Sequence, residues 1–215
     1  MFQIKEKIVS NRKLVKKIKN TLLKFGYNTE HLIRHVIRIE CKNLINNKLP
    51  NDMSILEISE SEYWKSNLKY KKYTSANYPA FDICENQLNE KFDLIIADNV
   101  WEHLKYPYKA SKNIQKMLKN NGHFLVIVPF LVIVPFLVRL HEVPIDCTRW
   151  TEDGLKYYLE ESGFNINNIE TGSWGNKKSV ISNLRNDDKW TRVGFYSKLN
   201  NEKNFPVQIW ALAKM

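Results

Sequence analysis

At 215 residues the chain has room for one domain of ordinary size with a segment left over. Hydrophobic residues make up 43% and charged residues 26%, which excludes a collagen, a coiled-coil array and a wholly disordered chain. Cys41, Cys84 and Cys147 lie far apart with no CxxC spacing, which argues against a disulfide scaffold and a cysteine zinc site and suits a reducing cytosol. Lysines interrupt the first twenty residues, so no signal peptide is expected and a cytoplasmic location is.

The net charge of +10 is unevenly spread. Residues 1–50 hold 12 Lys or Arg against 3 Glu, while the rest of the chain is nearly balanced. A basic segment of this kind suits nucleic acid or an anionic membrane surface, the latter as a peripheral association. The plainer reading is compositional, because Lys and Asn are abundant throughout, with 24 Asn in all.

Residues 3–25 place Ile4, Ile8, Leu14, Val15, Ile18, Leu22 and Leu23 near a 3.6 spacing, so a basic amphipathic helix is expected, stopped at Gly26. A second helix is expected over about 29–45, with Leu32, Val36, Ile37, Ile39 and Leu44 inward. His31 and His35 stand one turn apart there, with no third ligand near, so they read as a solvated face. The turn Pro50-Asn51-Asp52 divides a basic helical extension, 1–50, from an α/β domain, 51–215.

Beyond that boundary apolar runs alternate with helical stretches. Strands are expected at 53–58 (MSILEI), 72–77, 92–97 (FDLIIA), 123–128, 167–171 and 207–213 (VQIWALA). Helices are expected at 108–118, ended by Asn120-Asn121-Gly122, and at 152–162, ended by Gly163 with Thr151 as its cap. This rhythm predicts an α/β fold, a doubly wound, mostly parallel sheet. FLVIVP occurs at 124–129 and again at 130–135, the mark of a duplication. The apolar run 124–138 holds Pro129 and Pro135 and is too short for a transmembrane helix. Six is an even number, so either copy would present the same faces as one strand.

In such a sheet ligands sit beyond the carboxyl ends of the strands, so the residues there are the candidates. Glu57 to Glu62 follow the first strand, Asn77, Tyr78 and Asp82 the second, and Asp98 to Leu104 the third. The segment from Arg139 to Trp150 follows the fourth, and carries His141, Glu142, Asp146, Arg149 and Trp150. It has no helical or strand period, and polar loops above strand tips are where substrates are commonly recognised. An Asp146–Arg149 salt bridge within a structural loop is the alternative.

FDLIIADNVWEHL, then a helix, LKNNGHFLVIVP and LEESGF resemble a class I S-adenosylmethionine-dependent methyltransferase of the type 11 kind, over roughly residues 53–170. The resemblance implies a Rossmann-like sheet, S-adenosylmethionine as cofactor and methyl transfer to a nucleophile. It implies a cofactor site at Glu57, Ser59, Ser61, Asn77, Asp82, Asp98 and Asn99. Asp82 matches the acid that reaches the adenine amino group, and Asn77 falls near the acid that holds the ribose hydroxyls. The cofactor loop departs from the family pattern. Glu57 matches the acid, but Ser59 and Ser61 stand where the first two glycines would be and Tyr63 where the third would be. Only 41 positions separate Glu57 from Asp98, short by about one helix and part of a strand.

The reaction needs a positioned acceptor and removal of its proton. His141 and His103 are the candidate bases, histidine being the side chain whose ordinary pKa falls nearest neutrality. A packing or capping place is the alternative for His103. Asp146, Arg149, Trp150 and Trp174 are the candidate substrate contacts, with Trp174 in a Gly-flanked turn after the strand 167–171. No (N/D)PPY signature is present, which favours an oxygen or carbon acceptor on a small or sugar-like molecule. A catalytically silent fold of the same kind, and a nucleic-acid or membrane binder acting through residues 1–50, are the competing readings.

Overall fold

The computed structural model describes residues 12–130, 145–185, 192–194 and 200–215. His141, Glu142 and the second FLVIVP copy after Phe130 lie outside the described residues.

Helix α1 (Arg12–Lys24) is stopped at Gly26, as its sequence predicts. A short strand, β1 (Asn28–His31), intervenes before α2 (Leu32–Lys48). Then come β2 (Ser54–Ile58), the single turn α3 (Tyr63–Asn67), β3 (Lys72–Ala76) and β4 (Phe92–Asp98). A 3-10 turn (Trp101–His103) leads to α4 (Pro107–Met117) and β5 (Leu118–Pro129). The remaining elements are α5 (Glu152–Glu161), a second 3-10 turn (Ile166–Asn168), β6 (Ile169–Trp174), α6 (Lys177–Arg185), β7 (Arg192–Gly194) and β8 (Gln208–Lys214).

Six strands form one sheet in the order β3-β2-β4-β5-β8-β6. β2 pairs in parallel with β3 and β4, and β4 with β5. β8 is antiparallel to both β5 and β6, so five strands share one direction and the closing strand opposes them. The expected α/β class and mostly parallel sheet are present. The closing strand's direction is set by pairing between distant segments, which no local pattern encodes.

Both faces of the sheet are covered at its centre, which is why β2, β4, the second half of β5 and β8 read as continuous apolar runs. Ile55, Leu94, Ile96, Leu125 and Ile127 pack with Ile33, Ile37, Cys41 and Ile45 of α2. Leu56, Ile95, Ala97, Phe124 and Val126 face the other way, onto Ala110, Ile114 and Met117 of α4 and Leu155 and Leu159 of α5. Thr151 caps α5, its Oγ1 accepting from the Gly154 N–H at 2.9 Å.

Several local expectations shift. The buried stripe of α2 is Ile33, Ile37, Cys41 and Ile45, while Ile39 is exposed, because apolar residues lie on both sides of this helix and the sheet selects one. His31 belongs to β1, so the two histidines are not a turn apart on one helix face. His35 Nδ1 is bonded to the Glu30 carboxylate. Burial, reinforced by Arg192, pushes the His31 pKa down to about 4. Asn120-Asn121-Gly122 lies inside β5 and not at a helix end, with Asn121 at φ +64° opposite a register shift in β4. The first FLVIVP copy fills the buried part of β5.

Candidate functional site

The chain passes from β2 outward to β3, then returns to place β4 on the other side of β2. That reversal opens a crevice beyond the carboxyl ends of β2 and β4, the position where open α/β sheets bind ligands.

The loop after β2 is bent by two residues with left-handed backbone, Ser59 at φ +66° and Glu62 at φ +48°. This is the conformation that glycine adopts without strain. The Glu57 side chain lies beneath the loop. Its Oε1 accepts from the Ser61 N–H at 3.0 Å and from Ser61 Oγ at 2.8 Å, and its Oε2 accepts from the Tyr73 hydroxyl. Burial raises the Glu57 pKa against the pull of these donors. The Ser59 N–H donates to the Ala76 carbonyl at 3.0 Å, and Asn77 Oδ1 accepts from the Glu60 N–H at 2.8 Å. The loop is thereby stitched to the tip of β3. Asp82 Oδ1 accepts from the Cys84 N–H at 2.9 Å, and its carbonyl accepts from Asn86 at 2.7 Å, forming a turn after β3.

Asp98 ends β4 with its side chain 1% exposed. Its Oδ2 accepts from Arg38 Nε at 2.7 Å and from Trp64 Nε1 at 3.1 Å. Asn99 follows at φ +58°, donates to Asp98 Oδ1, and accepts from Gln208 Nε2 at 2.8 Å. The sequence-derived residues Glu57, Ser59, Ser61, Asn77, Asp82, Asp98 and Asn99 therefore stand at the same end of adjacent strands. The carboxylates of Glu57 and Asp98 face inward onto protein donors.

The 3-10 turn after β4 carries the site's least expected side chain. Glu102 is 1% exposed, and its Oε2 has no hydrogen-bond partner among the described residues. Burial pushes its pKa up to about 8, against the opposing pull of Arg149. Its backbone carbonyl accepts from the Cys147 N–H at 2.8 Å, which fastens the loop 145–150 over this turn. His103 Nδ1 meets the Ile145 carbonyl. A carbonyl only accepts, so Nδ1 carries the proton and Nε2, 3.7 Å from Glu102 Oε1, carries the lone pair when the ring is neutral. Two further buried atoms without partners, Thr148 Oγ1 and Gln208 Oε1, belong to residues bonded to this turn and to Asn99.

The substrate-contact expectations fare differently. Asp146 and Arg149 form a two-pronged ion pair with each other. Trp150 is buried, its ring 5.5 Å from that of Tyr158, so it packs the core. Trp174 is 2% exposed in the opposite core, and β6 runs through it, so the expected turn starts only at Gly175. An added Cβ at Gly175 would sit 2.0 Å from the Phe205 carbonyl oxygen, so glycine here serves a close backbone crossing. Sequence reasoning held Glu102 and Thr148 only within the segments beyond the strand tips, without a role, and missed Gln208 and Arg38 as site residues. The one available signal was the position of Glu102 just beyond a strand tip.

A family model described as a methyltransferase domain matches residues 10–169. No curated protein matches the chain. Among solved structures, a SAM-dependent methyltransferase from Thermotoga maritima is 14% identical with a TM-score of 0.52, over 100% of this chain and 99% of that one. Another from Mesorhizobium loti is 14% identical with a TM-score of 0.50, over 80% and 96%. Phosphoethanolamine N-methyltransferase 2 from Haemonchus contortus, in complex with S-adenosyl-L-methionine, is 12% identical with a TM-score of 0.52, over 81% and 52%. At these identities the structures speak to the fold, while the family match covers most of the chain and includes the loops after β2, β3 and β4. The chain belongs to the methyltransferase-domain family, and its sheet has the fold of S-adenosylmethionine-dependent methyltransferases.

Proposed function

We propose that the chain methylates a hydroxyl group on a small, polyhydroxylated, sugar-like molecule, with S-adenosylmethionine as donor. The observation that carries this reading is the buried Glu102 Oε2 without a partner, accompanied by Thr148 Oγ1 and Gln208 Oε1. Buried polar atoms are paired in native proteins, so these three suit a ligand rich in hydroxyl groups. A Glu102 carboxyl kept neutral at pH 7 offers such a ligand both a donor and an acceptor.

The residues present fit the cofactor. The bends at Ser59 and Glu62 give its loop a left-handed course that glycine adopts without strain. That loop, with Asn77, Asp82 and Asn99, would hold the cofactor, while Glu57 and Asp98 fix the loop and strand tip from beneath. When bound, the cofactor supplies a methyl group already activated on a sulfonium. The chain's own task is to orient the acceptor and take its proton. His103 Nε2 takes that proton. Ile145 holds the ring's tautomer, and the neutral Glu102 carboxyl stands beside Nε2. His141, outside the described residues, is the second candidate for the same role. Asp146 and Arg149 shape the acceptor loop through their ion pair.

The test is transfer of labelled methyl from S-adenosylmethionine to a panel of sugars and polyols. His103→Asn, run beside His141→Asn, is expected to lower kcat by at least ~100-fold. Its affinity for S-adenosylhomocysteine should stay within about twofold of the parent's. Full activity of His103→Asn, or labelling confined to amines, would overturn the reading. The competing silent-scaffold reading draws on Glu57 and Asp98 being already paired within the protein, and it predicts no cofactor binding at all.

A further inference from the structure

The orientation of α2 decides what stands at the mouth of the crevice. Arg38, in the second turn of α2, reaches Asp98 at the carboxyl end of β4. Lys48, the last residue of α2, reaches Glu170 near the start of β6. Because β6 runs parallel to β4, the helix descends from the site end of the sheet toward the opposite end. The elements just before α2 therefore stand at the site end: α1, and β1 with its partner β7.

Helix α1 is unlike the other helices. It carries six Lys or Arg and no acidic residue. Ile18, Leu22 and Phe25 follow one another at helical spacing along a single stripe. All three are exposed, at 41%, 37% and 77%, and Leu23 is exposed beside them. Lys17 and Lys24 flank the stripe on one side and Lys19 on the other, all exposed. No helix among the described residues is long and apolar enough to cross a membrane.

We propose that α1 docks the protein on an anionic lipid surface, its apolar stripe entering the headgroup boundary and its lysines pairing with lipid phosphates. The charge of the helix selects an anionic partner. The stripe selects lipid over nucleic acid, because a phosphate backbone offers exposed Ile, Leu and Phe nothing to enter, whereas a basic amphipathic helix lies in the membrane interface. The placement has a consequence, which rests on the methyltransferase reading: the crevice beside β2 and β4 faces the surface, so an acceptor carried on lipid is delivered to it.

The test is co-sedimentation of the full chain with vesicles of mixed phosphatidylglycerol and phosphatidylcholine, against vesicles of phosphatidylcholine alone. The parent is expected to bind the mixed vesicles, to release with added salt, and to ignore the neutral ones. The double variant Leu22→Glu/Phe25→Glu is expected to partition at least roughly tenfold more weakly. Its thermal unfolding and its binding of S-adenosylhomocysteine are expected to match the parent's, which separates this proposal from the cofactor site. Two results would overturn it: parent that stays in solution with mixed vesicles, and vesicle binding that survives the double substitution. A third would move the partner to nucleic acid: single-stranded RNA that displaces the vesicles and binds the double variant as well as the parent.

Discussion

Arg38 Nε donates to Asp98 Oδ2 at 2.7 Å, joining a covering helix to the tip of a central strand across sixty positions of sequence. The Asp98 side chain is 1% exposed and shares the same oxygen with Trp64. Removing the cation leaves a buried carboxylate with neutral donors only. Arg38→Met is therefore expected to lower unfolding stability by about 3 kcal/mol in a urea titration. A loss under about 0.5 kcal/mol would show that the pair contributes little.

Glu102 makes stability depend on pH in a stated direction. Its folded pKa of about 8 lies above the ordinary value of 4.5, so the folded state keeps a proton that the unfolded chain has released. The contribution is whole below the unfolded value and is lost as pH rises through the folded one. Arg149, Arg34, Asp98 and His103 are the ionisable groups around it. Glu102→Gln removes this dependence, by at most about 1.4 kcal/mol per pH unit. The Tm of the variant relative to the parent is expected to climb between about pH 5 and pH 8. A constant difference would mean that Glu102 is charged in the fold.

At Gly175 the nearest atoms to an added Cβ are backbone, the Phe205 carbonyl oxygen at 2.0 Å and the Val207 nitrogen at 2.6 Å. Neither can swing aside as a side chain would. Gly175→Ala is expected to cost about 2 kcal/mol or more, measured by chemical unfolding, with separation of the 200–207 segment from β6. Parent-like stability would mean that the crossing is loose.

Ser59 holds φ +66°. Serine tolerates this conformation at a cost of about 1 kcal/mol, and a β-branched residue does so less well. Ser59→Gly should leave stability unchanged or raise it by up to about 1 kcal/mol, while Ser59→Val should lower it by at least about 1 kcal/mol. Equal thermal midpoints for the two variants would contradict the bent loop.

The central strands were legible because they are buried on both faces, so FDLIIAD and the first FLVIVP copy read as unbroken apolar runs. The antiparallel course of β8 was hidden, since Gln208 to Lys214 looks the same in either direction. The pairing of β1 with β7 joins short polar segments more than 160 positions apart, and nothing local announces it. For α2, the pattern allowed two apolar faces and the sheet chose the one through Ile33 and Ile37. In the site, the polar residues beyond the strand tips were visible as residue types, and the structure sets Glu57, Asn77, Asp82 and Asp98 at one end of the sheet. Burial was the hidden quantity. It sends Trp150 and Trp174 into the core, while the missing partner at Oε2 sets Glu102 apart from the equally buried Glu57 and Asp98.

Cofactor binding is the claim on which the functional account stands. Isothermal titration of the full chain with S-adenosylhomocysteine tests it directly, with Asp82→Ala alongside. The account predicts clear heat and one site per chain for the parent, with affinity at least ~10-fold weaker when the Asp82 carboxylate is removed. A folded parent that gives no heat would contradict it and leave a methyltransferase fold without its chemistry.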